Sequence, residues 1–275
     1  MSIGANTSID VRGDMRTVLD AIARAGFDCV MVHEKIGDLC DTIEYAQKLG
    51  LQIPFVHLDY GSMNDVWSAD TRVRNREIER KINAMKICAA HGIKTVVIHP
   101  TKLRRNEPFI MNREIGLGSF RELAKVAERL DIKIALENLC DGNVEALEFL
   151  LDHLPHPNVG FCFDCGHYYL FTPGQHCHLM QKYSARCFAV HLQDNMRMVD
   201  TLNDQHLIPG DGVIDFAHVM HDIRRSAYGD GCVMLEIRHT NQFWNDPITN
   251  NYPDLDTAAF LQRAKQSALN LSKYR

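Results

Sequence analysis

Six β-strand-like runs in this 275-residue chain each end on a histidine, aspartate or glutamate. They are Phe55-Val56-His57, Val97-Ile98-His99, Ala135-Leu136-Glu137, Cys162-Phe163-Asp164, Ala189-Val190-His191 and Met234-Leu235-Glu236. One such ending is a coincidence, but six of them converge if the strands are parallel neighbours. Imidazole and carboxylate groups gathered at one edge of a sheet are ligands for a divalent metal ion. The pattern therefore predicts a metal site.

Three further candidate ligands lie just beyond the strand ends. His167 follows Asp164 by three residues, and Asp204 and His206 lie two positions apart in the long loop after His191. Mixed carboxylates and imidazoles suit Zn²⁺, Mn²⁺ or Co²⁺ better than the all-oxygen coordination of Ca²⁺. We therefore expect one of these three ions as the cofactor.

Alternating strand-like and helix-like segments provide the framework for such a site. Apolar residues recur with helical spacing at Met15-Val18-Ile22 and Leu123-Val126-Ala127-Leu130, and a long charged segment from Ala69 to Ala90 ends near Gly92. The strand candidates are residues 2–6, 27–33, 52–57, 94–99, 133–137, 159–164, 187–191 and 232–236. Strand followed by helix, eight times, predicts an α/β fold. We expect a single (β/α)8 TIM barrel over residues 1–275, with the metal site at the C-terminal face of the strands.

Side-chain parity along the strands indicates which residues face the barrel interior. In residues 159–164, Phe161 and Phe163 share one face, whereas Cys162 and Asp164 share the other. We expect the phenylalanines to pack on the outer helices and Asp164 to point inward. The same parity turns Cys162 and Cys165 to opposite faces, which argues against a redox role for this lone C-x-x-C motif.

Composition limits the classes of partner. The formal net charge is −5, with 45% hydrophobic and 24% charged residues, which argues against a broad nucleic-acid-binding surface. We expect neither a secretion signal nor a membrane partner, because there is no basic start with an apolar run and no apolar stretch of about 18 residues. Nine scattered cysteines suit reduced thiols and a cytoplasmic location.

Several motifs together resemble the xylose-isomerase-like barrel superfamily, and the resemblance covers nearly the whole chain. They are His99-Pro100, Leu136-Glu137-Asn138, Phe163-Asp164-Cys165-Gly166-His167, His191-Leu192-Gln193-Asp194, Asp204-Gln205-His206-Leu207-Ile208-Pro209-Gly210-Asp211-Gly212 and Leu235-Glu236. That superfamily includes sugar and sugar-phosphate isomerases and epimerases, of the tagatose-epimerase and inosose-processing type, and also endonuclease IV.

The resemblance implies a divalent-metal-dependent sugar or sugar-phosphate isomerase or epimerase. In that branch Glu137, Asp164, His191 and Glu236 would bind one ion. The reaction removes a carbon-bound proton next to a carbonyl, and the metal stabilises the enediolate charge that develops. Glu137 and Glu236 would also be the catalytic acid and base, one on either face of a small sugar.

The same branch implies a set of substrate-binding residues, and we also expect a homo-oligomer. The set is His57, His99, His167 and Arg197. Sugar epimerases of this kind often carry another glutamate six residues after the first, where this chain has Asn143. That departure leaves the substrate and the choice between isomerisation and epimerisation open.

An alternative carried by the same motifs is a zinc-dependent abasic-site phosphodiesterase of the endonuclease IV type. Its three zinc ions would use His57, His99, Glu137, Asp164, His167, His191, Asp204, His206 and Glu236. Tyr60 could then stack in the DNA. In the active-face loops, basic residues cluster only at Lys102-Leu103-Arg104-Arg105, which suits a solvated turn or a substrate phosphate equally well. DNA binding needs several phosphate contacts, so we favour the isomerase or epimerase.

Overall fold

Eight parallel strands form the sheet at the centre of the computed structural model, which describes residues 2–10, 13–35, 37–103, 106–171, 178–196, 204–241 and 248–274. The strands are Ile3–Asn6 (β1), Cys29–His33 (β2), Val56–His57 (β3), Thr95–Ile98 (β4), Lys133–Glu137 (β5), Val159–Asp164 (β6), Cys187–His191 (β7) and Val233–Leu235 (β8). Each strand pairs with its sequence neighbour from β1 to β7, and β1 also pairs with β8. A parallel bridge between Leu192 and Leu235 brings β7 to β8, so the barrel is nearly closed. The TIM-barrel prediction is confirmed.

Strand boundaries differ from the predicted ones mainly at β3. Residues 52–57 were expected to be extended, but the paired part is only Val56–His57, and Gln52 makes an isolated bridge with Cys29. Pro54 lies between them and has no N–H to donate to a neighbouring strand. Strands β4 and β8 end one residue early, so His99 and Glu236 are the first residues after their strands.

Helices alternate with the strands around the outside of the barrel. They are Met15–Arg24 (α1), Leu39–Lys48 (α2), Thr71–Ala90 (α3), Arg113–Arg129 (α4), Asp141–His153 (α5), Cys165–Phe171 (α6), His178–Tyr183 (α7), Phe216–Arg225 (α8) and Thr257–Leu271 (α9). The predicted long charged helix is α3, and the chain turns after it at Gly92 with φ 77°, a conformation that glycine adopts without strain. A short hairpin of Thr240–Asn241 (β9) and Thr249–Asn250 (β10) lies between β8 and α9. In the described residues, no helix combines the length and apolarity needed to cross a membrane.

The predicted side-chain parity holds inside the barrel. A compact apolar cluster fills the interior, and it consists of Cys29, Met31, Phe55, Val97, Ala135, Cys162, Ala189, Cys232 and Met234. Phe161, Phe163 and Cys165 belong instead to the larger core outside the strands. This separation puts Cys162 and Cys165 on opposite faces, as expected. The interior cluster forms an apolar floor beneath the polar residues at the carboxyl ends of the strands.

Candidate metal centre

Four strand ends bring together a group of four buried ligands, which we call the central group. Its members are Glu137, Asp164, His191 and Glu236, and one ligand atom from each lies within 4.8 Å of all the others. His191 Nδ1 lies 3.0 Å from Glu137 Oε1 and 2.8 Å from Glu236 Oε2. Ligands at about 2.0–2.1 Å from one metal ion lie about 3 Å from one another. The central group therefore has the spacing of a coordination shell.

The central group also lacks the partners that would satisfy it without a cation. Glu236 Oε2 is buried and accepts no hydrogen bond, although His191 Nδ1 is close. In the described part of the chain, only histidines form ion pairs with Glu137, Asp164 and Glu236. Three buried carboxylates without lysine or arginine are costly unless a cation neutralises them. The donor set therefore fits a divalent ion.

The protonation behaviour of two carboxyl groups reflects this concentration of charge. Burial raises the pKa of Asp164 well above its ordinary value. Burial acts the same way on Glu137, but the neighbouring imidazoles of His191 and His99 outweigh it and hold that pKa well below its usual range. Positive charge on neighbouring groups is therefore what keeps Glu137 ionised, and a bound metal ion would act in the same direction.

Glu137 extends the site toward β3 and β4 through its second oxygen, forming what we call the histidine group: His57, His99 and Glu137. Glu137 Oε2 lies 2.8 Å from His57 Nε2 and 2.9 Å from His99 Nε2. His57 Nδ1 lies 3.0 Å from the carbonyl oxygen of Leu58. Because a carbonyl only accepts, Nδ1 carries the proton there. With a cation bound between Nε2 and the Glu137 carboxylate, Nε2 would offer its lone pair, as a metal-binding histidine requires.

A third set of ligands, which we call the loop group, joins the α6 start to the loop after β7. His167, Asp204 and His206 form it, and Asp204 Oδ2 lies 2.8 Å from His206 Nε2 and 3.2 Å from His167 Nε2. The Nδ1 atoms of His206 and His167 face the carbonyl oxygens of Glu236 and Asn138. His206 has φ 49°, a left-handed conformation that costs a non-glycine residue about 1–3 kcal/mol. Strain of this kind is characteristic of functional sites.

Gln193 and Asp194 hold the loop group against the central group. Gln193 Nε2 lies 3.3 Å from Asp164 Oδ1 and 3.5 Å from Asp204 Oδ1, so one amide spans both groups. Asp194 is buried and accepts four backbone N–H groups from residues 195, 210, 212 and 214. Gly212 leaves room for this carboxylate, since a Cβ there would lie 2.3 Å from Asp194 Oδ1.

His33 is a member of the site that the sequence interpretation missed. It ends β2, is 9% exposed, and its Nε2 lies 3.4 Å from Glu236 Oε1. Its ring stacks on His57 with 4.9 Å between centroids. Burial lowers the His33 pKa to about 4, so the ring is neutral near pH 7. The available signal was a seventh strand ending on histidine.

The remaining predicted residues have different outcomes. Asn143 is fully buried and structural, because its side chain accepts from Leu139 N and donates to the Thr101 carbonyl oxygen. Arg197 and the Arg104-Arg105 pair lie outside the described residues. Lys102 Nζ donates to the carbonyl oxygen of Gly61. Tyr60 stacks on His99, with the ring centroids 4.5 Å apart, and so covers the histidine group.

Comparison with known proteins identifies a family and several similar folds. The sequence profile of the family described as xylose isomerase-like TIM barrel matches residues 19–263. An uncharacterised protein of Methanocaldococcus jannaschii is 24% identical over 259 residues, covering 86% of this chain and 83% of that protein. Inosose dehydratase 1 of Bacillus cereus is 25% identical over 177 residues, covering 57% of this chain and 58% of its own.

Two solved structures share the fold along their whole length. D-psicose 3-epimerase of Clostridium cellulolyticum, solved with D-tagatose, has a TM-score of 0.77 at 17% identity and covers 100% of this chain and 99% of that chain. The IOLI protein, solved with a zinc atom, has a TM-score of 0.76 at 19% identity, with the same coverage. At such identities the similarity is one of fold.

Proposed function

The chain belongs to the xylose isomerase-like TIM barrel family, and from this premise we propose that it is a divalent-metal-dependent isomerase or epimerase of a sugar or sugar phosphate. The observation that carries the proposal is the central group, where three carboxylates and one imidazole are buried together without a lysine or arginine partner among the described residues. Similar structures support it, since they include sugar epimerases solved with D-tagatose and D-fructose and a protein solved with zinc.

The central group would hold Mn²⁺, Co²⁺ or Zn²⁺ in this function. When bound, such an ion stabilises the negative charge that develops on the sugar oxygens as a proton leaves the neighbouring carbon. The protein supplies the acid and the base, and we propose Glu236 and Glu137 for these roles, as the sequence resemblance implies.

The surroundings of the two glutamates differ in a way that matters for proton transfer. Glu137 is fully buried, and histidines flank both of its oxygens: His57 and His99 at Oε2, His167 and His191 at Oε1. Glu236 is 4% exposed, and one histidine lies at each of its oxygens: His33 at Oε1 and His191 at Oε2. We therefore expect proton exchange with solvent to pass more readily through Glu236, with Glu137 more strongly committed to binding the ion.

The sugar would bind at the carboxyl ends of the strands, beside these groups. His57, His99 and His167 border the central group, and Tyr60 supplies an aromatic surface beside His99. Arg197 would contact a substrate oxygen in this proposal. We also propose a cytoplasmic location, because the eight cysteines in the described residues are all free.

Hydrogen–deuterium exchange at carbon tests the proposed reaction directly. The purified chain, loaded with Mn²⁺, Co²⁺ or Zn²⁺, is incubated in deuterated water with a panel of ketoses and ketose phosphates. Nuclear magnetic resonance then reports deuterium incorporation next to the carbonyl. Glu236→Gln should slow exchange by at least about 10²-fold, whereas the exposed Glu122→Gln on α4 should match the wild type. Equal exchange rates in both variants would contradict the proposal.

A second candidate is favoured by the grouping of all nine ligands. The histidine group, the central group and the loop group are contiguous, with Glu137 shared by the first two. Three zinc ions in these groups would suit hydrolysis of a phosphodiester at an abasic site. Elemental analysis gives the ions bound per chain, and an abasic duplex assay gives nicking. Salt-sensitive nicking that Glu137→Gln abolishes would establish this second function in place of the first.

A further inference from the structure

Outside the barrel mouth, a second kind of ligand cluster lies between α2 and α3. Cys40, Glu44 and His91 each contribute one atom to a set within 4.8 Å of one another. Cys40 Sγ lies 3.3 Å from His91 Nε2 and 3.6 Å from Glu44 Oε1. We propose that these three side chains bind a zinc-class cation that joins α2 to α3 and takes no part in turnover.

The distances match those expected around a tetrahedral ion. Zinc lies about 2.3 Å from a thiolate sulfur and about 2.0–2.1 Å from an imidazole nitrogen or a carboxylate oxygen. In a tetrahedron with these bond lengths, the sulfur lies about 3.5 Å from each neighbouring ligand atom. Both observed separations are within a few tenths of an ångström of this value. A thiol has only one hydrogen to share, whereas one cation would satisfy all three groups together.

The two helices hold the ligands in this arrangement independently of any ion. Cys40 and Glu44 are four residues apart on α2 and so lie on the same face of that helix. His91 is the residue that ends α3, and its backbone N–H is bonded to the carbonyl oxygens of Ile87 and Cys88. Gln47, on the same face of α2, donates its side-chain amide to the carbonyl oxygen of His91 at 3.0 Å. This bond keeps the His91 backbone against α2.

Local charge and exposure favour a cation from solvent. Cys40 Sγ contacts Glu44, and Asp38 and Asp41 lie at the start of the same helix. Partial desolvation together with these negative charges raises the pKa of Cys40. Metal binding would release the thiol proton to water, and the thiolate would then bind the ion. Glu44 is exposed and both Cys40 and His91 are half-buried, so water can complete the coordination. A sulfur ligand selects Zn²⁺, Co²⁺ or Cd²⁺ over Mg²⁺, Ca²⁺ or Mn²⁺.

Sulfur ligation separates this cluster from the barrel site, because the central, histidine and loop groups contain no cysteine. The probe is Co²⁺ added in excess to the full chain, with thiolate-to-cobalt charge-transfer absorption as the readout. Elemental analysis after desalting gives the ions per chain, and sugar proton exchange reports the barrel site. The variants are Cys40→Ala and His91→Gln, and the control is Cys88→Ala, which removes a buried thiol from α3.

We expect the wild type and Cys88→Ala to show the absorption, and Cys40→Ala and His91→Gln to lose it together with one ion per chain. Proton exchange should be the same in all of them. No absorption in the wild type would overturn the proposal, as would absorption that survives Cys40→Ala. A loss of exchange in Cys40→Ala at unchanged secondary structure would overturn the independence of this cluster from turnover.

Discussion

Replacing Asp194 with asparagine tests how the loop group is held in place. The Asp194 carboxylate is buried in the segment that follows β7, three residues after His191. Its Oδ2 accepts from the N–H groups of Gly210 and Gly212, both at 2.9 Å. Its Oδ1 accepts from Asn195 at 2.9 Å and Ile214 at 3.2 Å. One side chain thus fixes both ends of the turn that follows Asp204 and His206.

The cost of the substitution follows from the four bonds. Asparagine has only one side-chain oxygen, so in either orientation two backbone N–H groups face the side-chain NH2 group, which cannot accept a hydrogen bond. Each hydrogen bond to a charged group contributes about 1.5–3 kcal/mol, so the free energy of unfolding should fall by about 3–6 kcal/mol. Natural domains have about 5–15 kcal/mol in total. We therefore expect a large decrease in the free energy of unfolding. The decrease should be smallest if the asparagine oxygen takes the place of Oδ2, because that orientation keeps the two 2.9 Å bonds from Gly210 and Gly212.

Urea unfolding followed by circular dichroism measures this decrease. The control is Asp215→Asn, which changes the same residue type at the exposed start of α8. Asparagine and aspartate are about equally good at that helix position, so the control should unfold close to the wild type. If Asp194→Asn unfolds at the same urea concentration as Asp215→Asn, the argument that Asp194 holds this loop is wrong.

Three further predictions concern packing, charge and ligation. Gly166→Ala places a Cβ 2.2 Å from Gln193 Cδ, so it should cost about 1–3 kcal/mol, whereas Gly118→Ala in open space on α4 should stabilise by about 0.5–1 kcal/mol; urea unfolding measures both. Lys81 is buried, and burial lowers its pKa to about 8, so the folded state holds fewer protons than the unfolded state from about pH 8 to about pH 10.5. The free energy of unfolding of the wild type relative to Lys81→Met should therefore rise by about 3 kcal/mol over that range. A difference between the two proteins that does not change with pH would contradict this. Glu137→Gln should lower both the metal content and the thermal midpoint in Zn²⁺, because binding to the native state stabilises it, and unchanged metal content would exclude Glu137 as a ligand.

The barrel could be predicted from the sequence because the alternation of side chains along a strand and the residue that ends a strand can both be read from a few consecutive residues. Phe161 and Phe163 alternate with Cys162 and Asp164 along β6. Because successive side chains of a strand point to opposite faces, the phenylalanines pack against the outer helices and the other two side chains point into the barrel. Parallel strands then force their last residues to one face. The positions of Glu137, Asp164 and His191 followed from these two rules without any contact being known.

The parts that could not be predicted depend on loops and on neighbours distant in sequence. Asp204 and His206 were a weak signal, because their approach to His167 requires a left-handed residue at His206 and a loop held by Asp194. His33 ends a predicted strand, but only the fold shows that it contacts Glu236. Asn143 likewise needed the structure, which shows both ends of its amide bonded to backbone.

Charge balance connects the number of bound ions to the class of substrate. The three groups contain four buried carboxylates: Glu137, Asp164, Asp204 and Glu236. One divalent ion in the central group leaves these carboxylates with a net negative charge, which protonated histidines offset. His167 is one of them, because Asp164 and Asp204 raise the pKa of His167 well above its ordinary value, against the effect of burial. Three divalent ions would instead leave an excess of two positive charges in a buried site, and an anion such as a phosphodiester or hydroxide would have to bind there. A neutral ketose therefore favours fewer ions in the barrel site. We expect ketose exchange to reach its maximum with one ion bound in the three barrel groups and to decline as further ions bind there.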